Sequence, residues 1–130
     1  MNNHEHQAQV AVIQWAHLHR GAVPEFDLLY AIPNGGDRHP AVAAKLKAEG
    51  VKRGVPDLHL PVCRSGFHSL YIEMKKDPRH GKGRLSKEQI GWRDALIDEG
   101  HAWALCHGAE EAMETLRSYI IRNDYTQPLL

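Results

Sequence analysis

Two short segments near the middle of the chain constrain its fold more than any other feature. In residues 57–62 and 69–75 every second residue is apolar, as in β-strands with one buried face. The residues between the segments are typical of a turn, so the two runs are predicted to pair as a hairpin. If both apolar faces turn towards a core, Asp57 and Glu73 lie on the same surface of the sheet.

This hairpin would bring two carboxylates and one amine together, because Lys75 follows Glu73 on the same face of its strand. Two carboxylates supply the hard oxygen ligands that bind a divalent metal ion. The amine can orient or deprotonate a water molecule and offset the charge of a phosphate being cut. The alternative is a Pro-Asp turn followed by a solvated strand end. The order and the spacing of the two motifs favour a site.

Length and composition indicate one globular domain, over residues 1–122, followed by a short tail, 123–130. The 130 residues are 42% apolar and 25% charged, which is ordinary for a soluble protein. No apolar run reaches membrane-spanning length, and the polar start is unlike a signal peptide. The two cysteines form no CxxC pair, so we expect reduced thiols in the cytoplasm, and no zinc framework.

The net charge is zero, but the charges are unevenly distributed. Residues 38–93 contain 13 of the 16 basic residues and only five of the 16 acidic ones, a local charge of +8. Solvated lysines are common on protein surfaces, but here the excess surrounds the two carboxylates. A basic stripe of this kind is expected of a protein that binds phosphates.

The chain is predicted to fold as an α/β protein with the element order α-β-α-β-β-α-β-α. Helices are predicted over 4–19, 40–49, 87–99 and 109–121, and strands over 27–32, 57–62, 69–75 and 101–106. The last of these strands is apolar and is expected to be buried. The strand–helix–strand unit over 69–106 predicts a parallel pair, and the first three strands an antiparallel meander. The result is a mixed four-stranded sheet flanked by helices.

Four motifs in this order resemble the PD-(D/E)XK nuclease superfamily, and in finer detail its VRR-NUC branch. They are Ile32-Pro33-Asn34-Gly35, Gly54-Val55-Pro56-Asp57-Leu58, Ile72-Glu73-Met74-Lys75 and Ser86-Lys87-Glu88-Gln89 with Trp92 one turn on. The resemblance implies a restriction-endonuclease-like core and a stand-alone, phage-type nuclease, in the cytoplasm of a bacterial or phage-infected cell. Such proteins are similar to Holliday-junction resolvases, so a homodimer acting on four-way or branched DNA is expected.

The resemblance also implies roles for individual residues. Asp57 and Glu73 would bind Mg²⁺ or Mn²⁺, with the backbone carbonyl of Met74 as a further ligand. Lys75 would position or activate the attacking water. Gln89 matches a helix glutamine that points into the site.

Glu5 matches an acid on the family's first helix that can help to hold the metal through water. It is equally a first-turn acid that complements the helix dipole. Gln9 lies one turn further along the same face, so the register leaves both residues open. Gln89 has an alternative role too, because Ser86-x-x-Gln89 is a capping box. We expect Gln89 to fill only one of its two roles fully.

Several polar residues are candidates to contact the DNA backbone, which positions DNA without reading its sequence. They are Asn34, Arg38, Lys52, Arg53, Lys76, Arg79, Lys82 and Arg84. For any single cation among them, plain solvation is the alternative. The ten histidines are expected at the surface or facing a partner, although His59 points to the same side of its strand as Asp57.

The sequence therefore predicts a metal-dependent, structure-selective DNA endonuclease. Two other functions stay open: a DNA-binding module with the same fold that does not cut, and an RNA-directed nuclease that uses no metal. The first would have no need of Asp57, Glu73 and Lys75 together, and the second would leave Asp57 without a role.

Overall fold

The computed structural model describes residues 3–34, 39–81 and 83–121. The helices and strands in these residues are α1 (Asn3–Leu18), β1 (Tyr30–Ala31), α2 (Pro40–Ala48), β2 (Leu58–Leu60), β3 (Leu70–Lys75), α3 (Lys87–Asp98), β4 (Ala102–His107) and α4 (Ala109–Ile121). Short 3-10 helices span Pro24–Leu28 and Pro78–His80. The predicted element order is confirmed. The predicted tail, 123–130, and the candidate DNA contacts Arg38 and Lys82 lie outside the described residues.

The four strands form one mixed sheet in the order β1-β2-β3-β4. The first three strands are antiparallel neighbours, and β4 runs parallel to β3. A parallel pair needs a long crossover connection, and α3 lies within it. The meander and the parallel unit predicted from the sequence are both present.

The hydrophobic core lies on the sheet face that carries the apolar residues of the hairpin. Leu58, Leu60, Leu70, Ile72 and Met74 are at most 2% exposed. Helices α1 and α4 cover this face with small and branched side chains, among them Val12, Ala16, Ala112 and Leu116. Helix α3 packs on β4 instead. The polar face of the hairpin is therefore left for the candidate site.

Two strand predictions need correction. The strand predicted over 27–32 is reduced to Tyr30–Ala31, because Pro24–Leu28 forms a 3-10 helix with Pro24 in its first turn. Proline is pre-set for a helix start, and the acids Glu25 and Asp27 complement the helix dipole. Strand β4 was predicted to be of the buried type, but most of it is half-buried, since it forms an edge of the sheet.

None of the helices described in residues 3–34, 39–81 and 83–121 is long and apolar enough to cross a membrane.

Candidate active site

The register of the hairpin brings the two predicted carboxylates together. Leu58 pairs with Ile72 across the antiparallel ladder, so Asp57 and Glu73 form the next opposing pair on the polar face. The two carboxyl groups lie within hydrogen-bonding reach of each other. Oδ2 of Asp57 also accepts a hydrogen bond of 2.7 Å from the backbone N–H of Met74. The hairpin thus fixes the position of both acids.

Both acids are buried, which alternation alone did not indicate. Asp57 is 5% exposed and Glu73 is 2% exposed. Burial is the main cause that raises the pKa of Glu73 to about 9, and the neighbouring charge of Asp57 raises it further. Burial raises the pKa of Asp57 as well. At neutral pH the pair by itself therefore holds a proton, as expected of two carboxyl groups forced together.

One carboxylate oxygen of the pair, Oε1 of Glu73, indicates that the site suits a cation. Oε1 of Glu73 is buried and accepts no hydrogen bond from an N–H or hydroxyl donor of the described residues, so when both acids are ionised it is unsatisfied. An unsatisfied buried oxygen beside a second carboxylate is a donor set that a hard divalent cation satisfies. No group of three or more His, Cys, Asp and Glu side chains that could hold a metal occurs in the described ranges. The donors available are thus few, and they are oxygens.

Gln89 connects the carboxylates to the start of α3. Its Nε2 donates to Oε2 of Glu73 over 3.2 Å, and its Oε1 accepts from Nζ of Lys75 over 3.2 Å. The same Oε1 accepts from the backbone N–H of Ser86 over 2.8 Å, which completes a capping box. The expectation that Gln89 fills only one role is wrong, because an amide oxygen has two lone pairs and the amide nitrogen is separate.

Lys75 completes the cluster and is enclosed by the loop that precedes α3. Its half-buried side chain lies on the same face of β3 as Glu73, two residues earlier. A Cβ placed on Gly83 would lie 3.1 Å from Cδ of Lys75. The loop therefore passes directly against the alkyl chain of Lys75 and leaves little freedom to the amine bound by Gln89.

The loop before β2 packs tightly on α3 through a glycine whose role the sequence did not reveal. Gly54 is buried with φ +84°, and a Cβ there would lie 2.6 Å from the backbone carbonyl carbon of Glu88. Nε1 of Trp92 donates to the carbonyl of Arg53 over 3.1 Å. These contacts hold the segment that carries Asp57 against the helix turn that carries Gln89. The positive φ and the close approach both require glycine.

Helix α1 adds two further polar residues. The charge of Glu5 contributes to the raised pKa of Glu73, so Glu5 lies within electrostatic reach of the pair. One turn later, Oε1 of Gln9 is buried without a hydrogen-bond partner among the described residues. The sequence offered Gln9 only as an alternative to Glu5. Its buried, unsatisfied oxygen now makes it a candidate site residue.

The candidate DNA contacts that the structure describes differ in their exposure and in their partners. Lys52, Arg53, Arg79 and Arg84 are exposed, whereas Asn34 and Lys76 are half-buried. Arg79 is bound by Asp77 through two hydrogen bonds of 3.0 Å. The hydrogen bonds from Arg79 lower the pKa of Asp77 to about 2, so the two charges offset each other over the working pH range.

His59 points to the polar face, as its alternation predicts, but it takes no part in the carboxylate pair. Its Nδ1 is bonded to the hydroxyl of Tyr30 over 2.7 Å, and its Nε2 to the hydroxyl of Ser69 over 2.9 Å. Burial is the main cause that lowers the pKa of His59. Both ring nitrogens are thus occupied, which leaves none for a metal.

Comparisons with known proteins agree with this arrangement. A family model described as the VRR-NUC domain matches residues 3–110. A solved structure described as a "VRR_NUC domain protein" is 28% identical, with a TM-score of 0.77, and covers 100% of this chain and 99% of its own. No curated protein matches the chain. The match over most of the sequence, together with the same fold, shows that the chain belongs to the VRR-NUC domain family of the PD-(D/E)XK nuclease superfamily.

Proposed function

We propose that the protein is a metal-dependent, structure-selective DNA endonuclease that cuts phosphodiester bonds at four-way or branched junctions. One observation carries the proposal. A buried pair of carboxyl groups, Asp57 and Glu73, has an unsatisfied oxygen and lies beside Gln89 and Lys75. A stable fold gains nothing from two buried carboxyl groups that face each other, whereas a metal-dependent phosphodiesterase uses such a pair to hold its cation.

The residues present fit a bound Mg²⁺ or Mn²⁺. Asp57, Glu73 and the backbone carbonyl of Met74 would hold it, and Glu5 would contribute through water. Mg²⁺ binds through one or two carboxylates and keeps several water molecules, so a site with two acids suits it. When bound, the metal supplies positive charge for the phosphate and for the leaving oxygen.

The other side chains of the site would orient the water and the acids. The Lys75 amine, held by Gln89 over 3.2 Å, would position the attacking water and offset charge on the phosphate. The Gln89 amide nitrogen fixes one oxygen of Glu73, which leaves the other oxygen of that carboxylate for the cation. Gln89 thus acts as a positioning residue for both groups.

The substrate class rests on charge and on family likeness. The basic segment 38–93 supports DNA as the substrate, since its local charge of +8 suits a polyanion. The residues proposed to contact phosphates are Asn34, Arg38, Lys52, Arg53, Lys76, Arg79, Lys82 and Arg84. The preference for branched DNA and the assembly as a homodimer are proposed from the resemblance to junction-resolving nucleases.

The test is cleavage of a labelled four-way junction beside a linear duplex, a flap and single-stranded DNA. Each substrate is incubated with Mg²⁺, with Mn²⁺ and with EDTA, and Lys75→Ala is the control protein. Metal-dependent paired nicks on the junction, absent with Lys75→Ala, are expected. Equal cutting of every substrate would leave a nuclease and remove the structure selectivity.

Two results would replace the proposal by another function. Binding of the junction without any cleavage in either metal would identify a DNA-binding module. Cleavage of RNA that persists in EDTA and tolerates Asp57→Ala would identify a metal-independent ribonuclease.

A further inference from the structure

A row of aromatic side chains crosses the polar face of the sheet directly beside the carboxylate pair. Tyr30 of β1 pairs with His59 of β2, His59 pairs with Tyr71 of β3, and Tyr71 is in register with Trp103 of β4. Each of the four strands thus contributes one ring to the same level of the sheet. We call Tyr30, His59, Tyr71 and Trp103 the aromatic row.

The rings of the row are held by contacts that fix their orientation. The His59 ring stacks on one face of Tyr71 with 4.1 Å between centroids and 16° between planes, and the His101 ring contacts Tyr71 at 5.3 Å. The Tyr30 ring contacts His59 edge-on at 5.3 Å. The hydroxyl of Ser69 connects Nε2 of His59 to Nδ1 of His101 over 2.9 Å and 2.6 Å. Rings that are fixed before binding lose little conformational entropy when a ligand stacks on them.

Only part of the row is covered by the rest of the protein. The guanidinium of Arg93 lies over the Trp103 ring at 5.8 Å, so α3 shields that end. At the other end Tyr30 is 48% exposed, and His59 and Tyr71 are half-buried. The hydrophobic core lies on the opposite face, so the accessible part of the row is not part of that core.

The row lies within reach of a nucleotide that neighbours a phosphate held at the carboxylate pair. Tyr71 and Glu73 are two residues apart on one face of β3, which corresponds to roughly 7 Å along a strand. A nucleotide next to the phosphate held at Asp57 and Glu73 therefore reaches the row. Bases inside a duplex stack on each other and cannot lie against a sheet, whereas an unpaired base can.

We propose that Tyr30, held in place by His59 and Tyr71, forms a stacking platform for an unpaired nucleobase adjacent to the phosphodiester held at Asp57 and Glu73. The inference rests on the proposed function and adds the part of the substrate that this site selects. Aromatic side chains on a sheet bind single-stranded bases in this manner, with little sequence preference. The platform gives the enzyme a physical basis for preferring branched DNA with unpaired bases at the branch point over DNA that is paired throughout.

The experiment compares two fluorescein-labelled branched DNAs that differ only at the branch point. One carries two unpaired thymidines there, and the other carries two abasic residues with the same backbone charge. Binding is measured by fluorescence anisotropy in EDTA, where the proposed nuclease does not cut. The wild-type protein is expected to bind the DNA with bases about tenfold more tightly, the effect of one stacked base.

Matched variants assign the preference to the ring. Tyr30→Leu removes the exposed ring and is expected to bind both DNAs equally, whereas Tyr30→Phe keeps the ring and the tenfold preference. Tyr71→Leu, which removes the ring stacked on His59, is expected to reduce the preference. Thermal unfolding establishes that each variant is folded. If Tyr30→Leu does not fold, the comparison of the two DNAs on the wild-type protein decides.

The outcomes separate this inference from the proposed function. Equal wild-type affinity for the two DNAs would overturn the platform, even if both are cut in Mg²⁺. A tenfold preference without cleavage in Mg²⁺ or Mn²⁺ would support the platform and overturn the nuclease.

Discussion

At the scale of single residues, Gln89 joins the start of a helix to the candidate site. Its amide oxygen completes the cap of α3 and accepts from Lys75, while its amide nitrogen donates to Glu73. The capping hydrogen bonds fix the Gln89 side chain, so no further residue is needed to orient it. Gln89 is therefore expected to affect both the stability of the fold and the cleavage rate, and a test of its role must measure the two separately.

Ser86→Ala and Gln89→Ala are expected to lose similar stability and very different activity. Each removes one half of the capping box, which costs about 1 kcal/mol. Gln89→Ala alone also releases Lys75 and Glu73, so its cleavage rate is expected to fall roughly a hundredfold. Urea unfolding and single-turnover cleavage measure the two effects. Equal cleavage rates for the two variants would mean that Gln89 only caps α3 and does not position Lys75 or Glu73.

The stability of the metal-free protein is expected to fall as the pH rises from about 5 to 9. The pKa of Glu73 in the folded protein is raised to about 9, so between its ordinary value and 9 the folded state binds the extra proton. That stabilisation is complete below the ordinary pKa and is lost as pH approaches 9, with a slope of up to about 1.4 kcal/mol per pH unit. Asp57, whose pKa is also raised, acts in the same direction.

Glu73→Gln tests this dependence, because its amide cannot ionise. Urea unfolding in EDTA is measured for both proteins at intervals from pH 5 to 9, and the variant is expected to show a much flatter profile. Parallel profiles for the two proteins would mean that Glu73 is not the group responsible. Addition of Mg²⁺ is expected to restore wild-type stability at high pH and to leave the variant little changed.

At the scale of elements, the site depends on how the loop before β2 packs on α3. Gly54 permits this packing because it has no side chain. Its φ is +84°, and a Cβ at this position would lie 2.6 Å from the backbone carbonyl carbon of Glu88. The loop carries Asp57 and the helix carries Gln89. Any displacement of one against the other separates the carboxylate pair from the residues that orient it.

Gly54→Ala is therefore expected to destabilise the protein by about 1–3 kcal/mol and to reduce cleavage strongly. Gly91→Ala is the matched control on α3, where an added Cβ meets nothing within 4 Å. That control is expected to stabilise the protein by about 0.4–1 kcal/mol and to leave cleavage unchanged. Thermal unfolding and cleavage assays compare the two, and a Gly54→Ala protein that equals wild type would contradict this account of the loop.

Local patterns predicted the hairpin correctly but not the environment of its acids. The period of two places Asp57 and Glu73 on one face, and the strand register confirms it. Their burial depends on contacts distant in sequence, such as that of Gln89 with Glu73, and no local pattern shows these. The short β1 illustrates a competing local rule, because the helix preference of Pro24 at a first turn outweighs an apolar run.

At the scale of the whole molecule, the element order, the mixed sheet and the family could all be predicted from the sequence. Each rests on mutually consistent local signals, among them the capping box before α3 and the alternation in the hairpin. The aromatic row could not be predicted in the same way. It exists only because four separate strands meet in register, and register across a sheet is a property of the assembled fold.

The uneven distribution of charge predicts how DNA affinity responds to salt. The overall charge is zero, so attraction to DNA must come from the basic segment 38–93, with its local charge of +8. Each phosphate neutralised by a cation releases counterions, and the logarithm of the affinity falls linearly with the logarithm of the salt concentration. Although the protein is neutral overall, its affinity for DNA is thus expected to fall as steeply with salt as that of a basic protein.

Lys52→Ala and Arg53→Ala are each expected to reduce the magnitude of that slope by about one. Both side chains are exposed and lie in the segment that precedes Asp57. Arg117→Ala is the matched control, since Arg117 is exposed on α4, outside the basic segment, and is paired with Glu114 over 2.8 Å. Anisotropy titrations of a labelled junction in EDTA, at several salt concentrations, give the slopes. A flat salt response of the wild-type protein, or equal slopes for all three variants, would mean that the basic segment does not face the DNA.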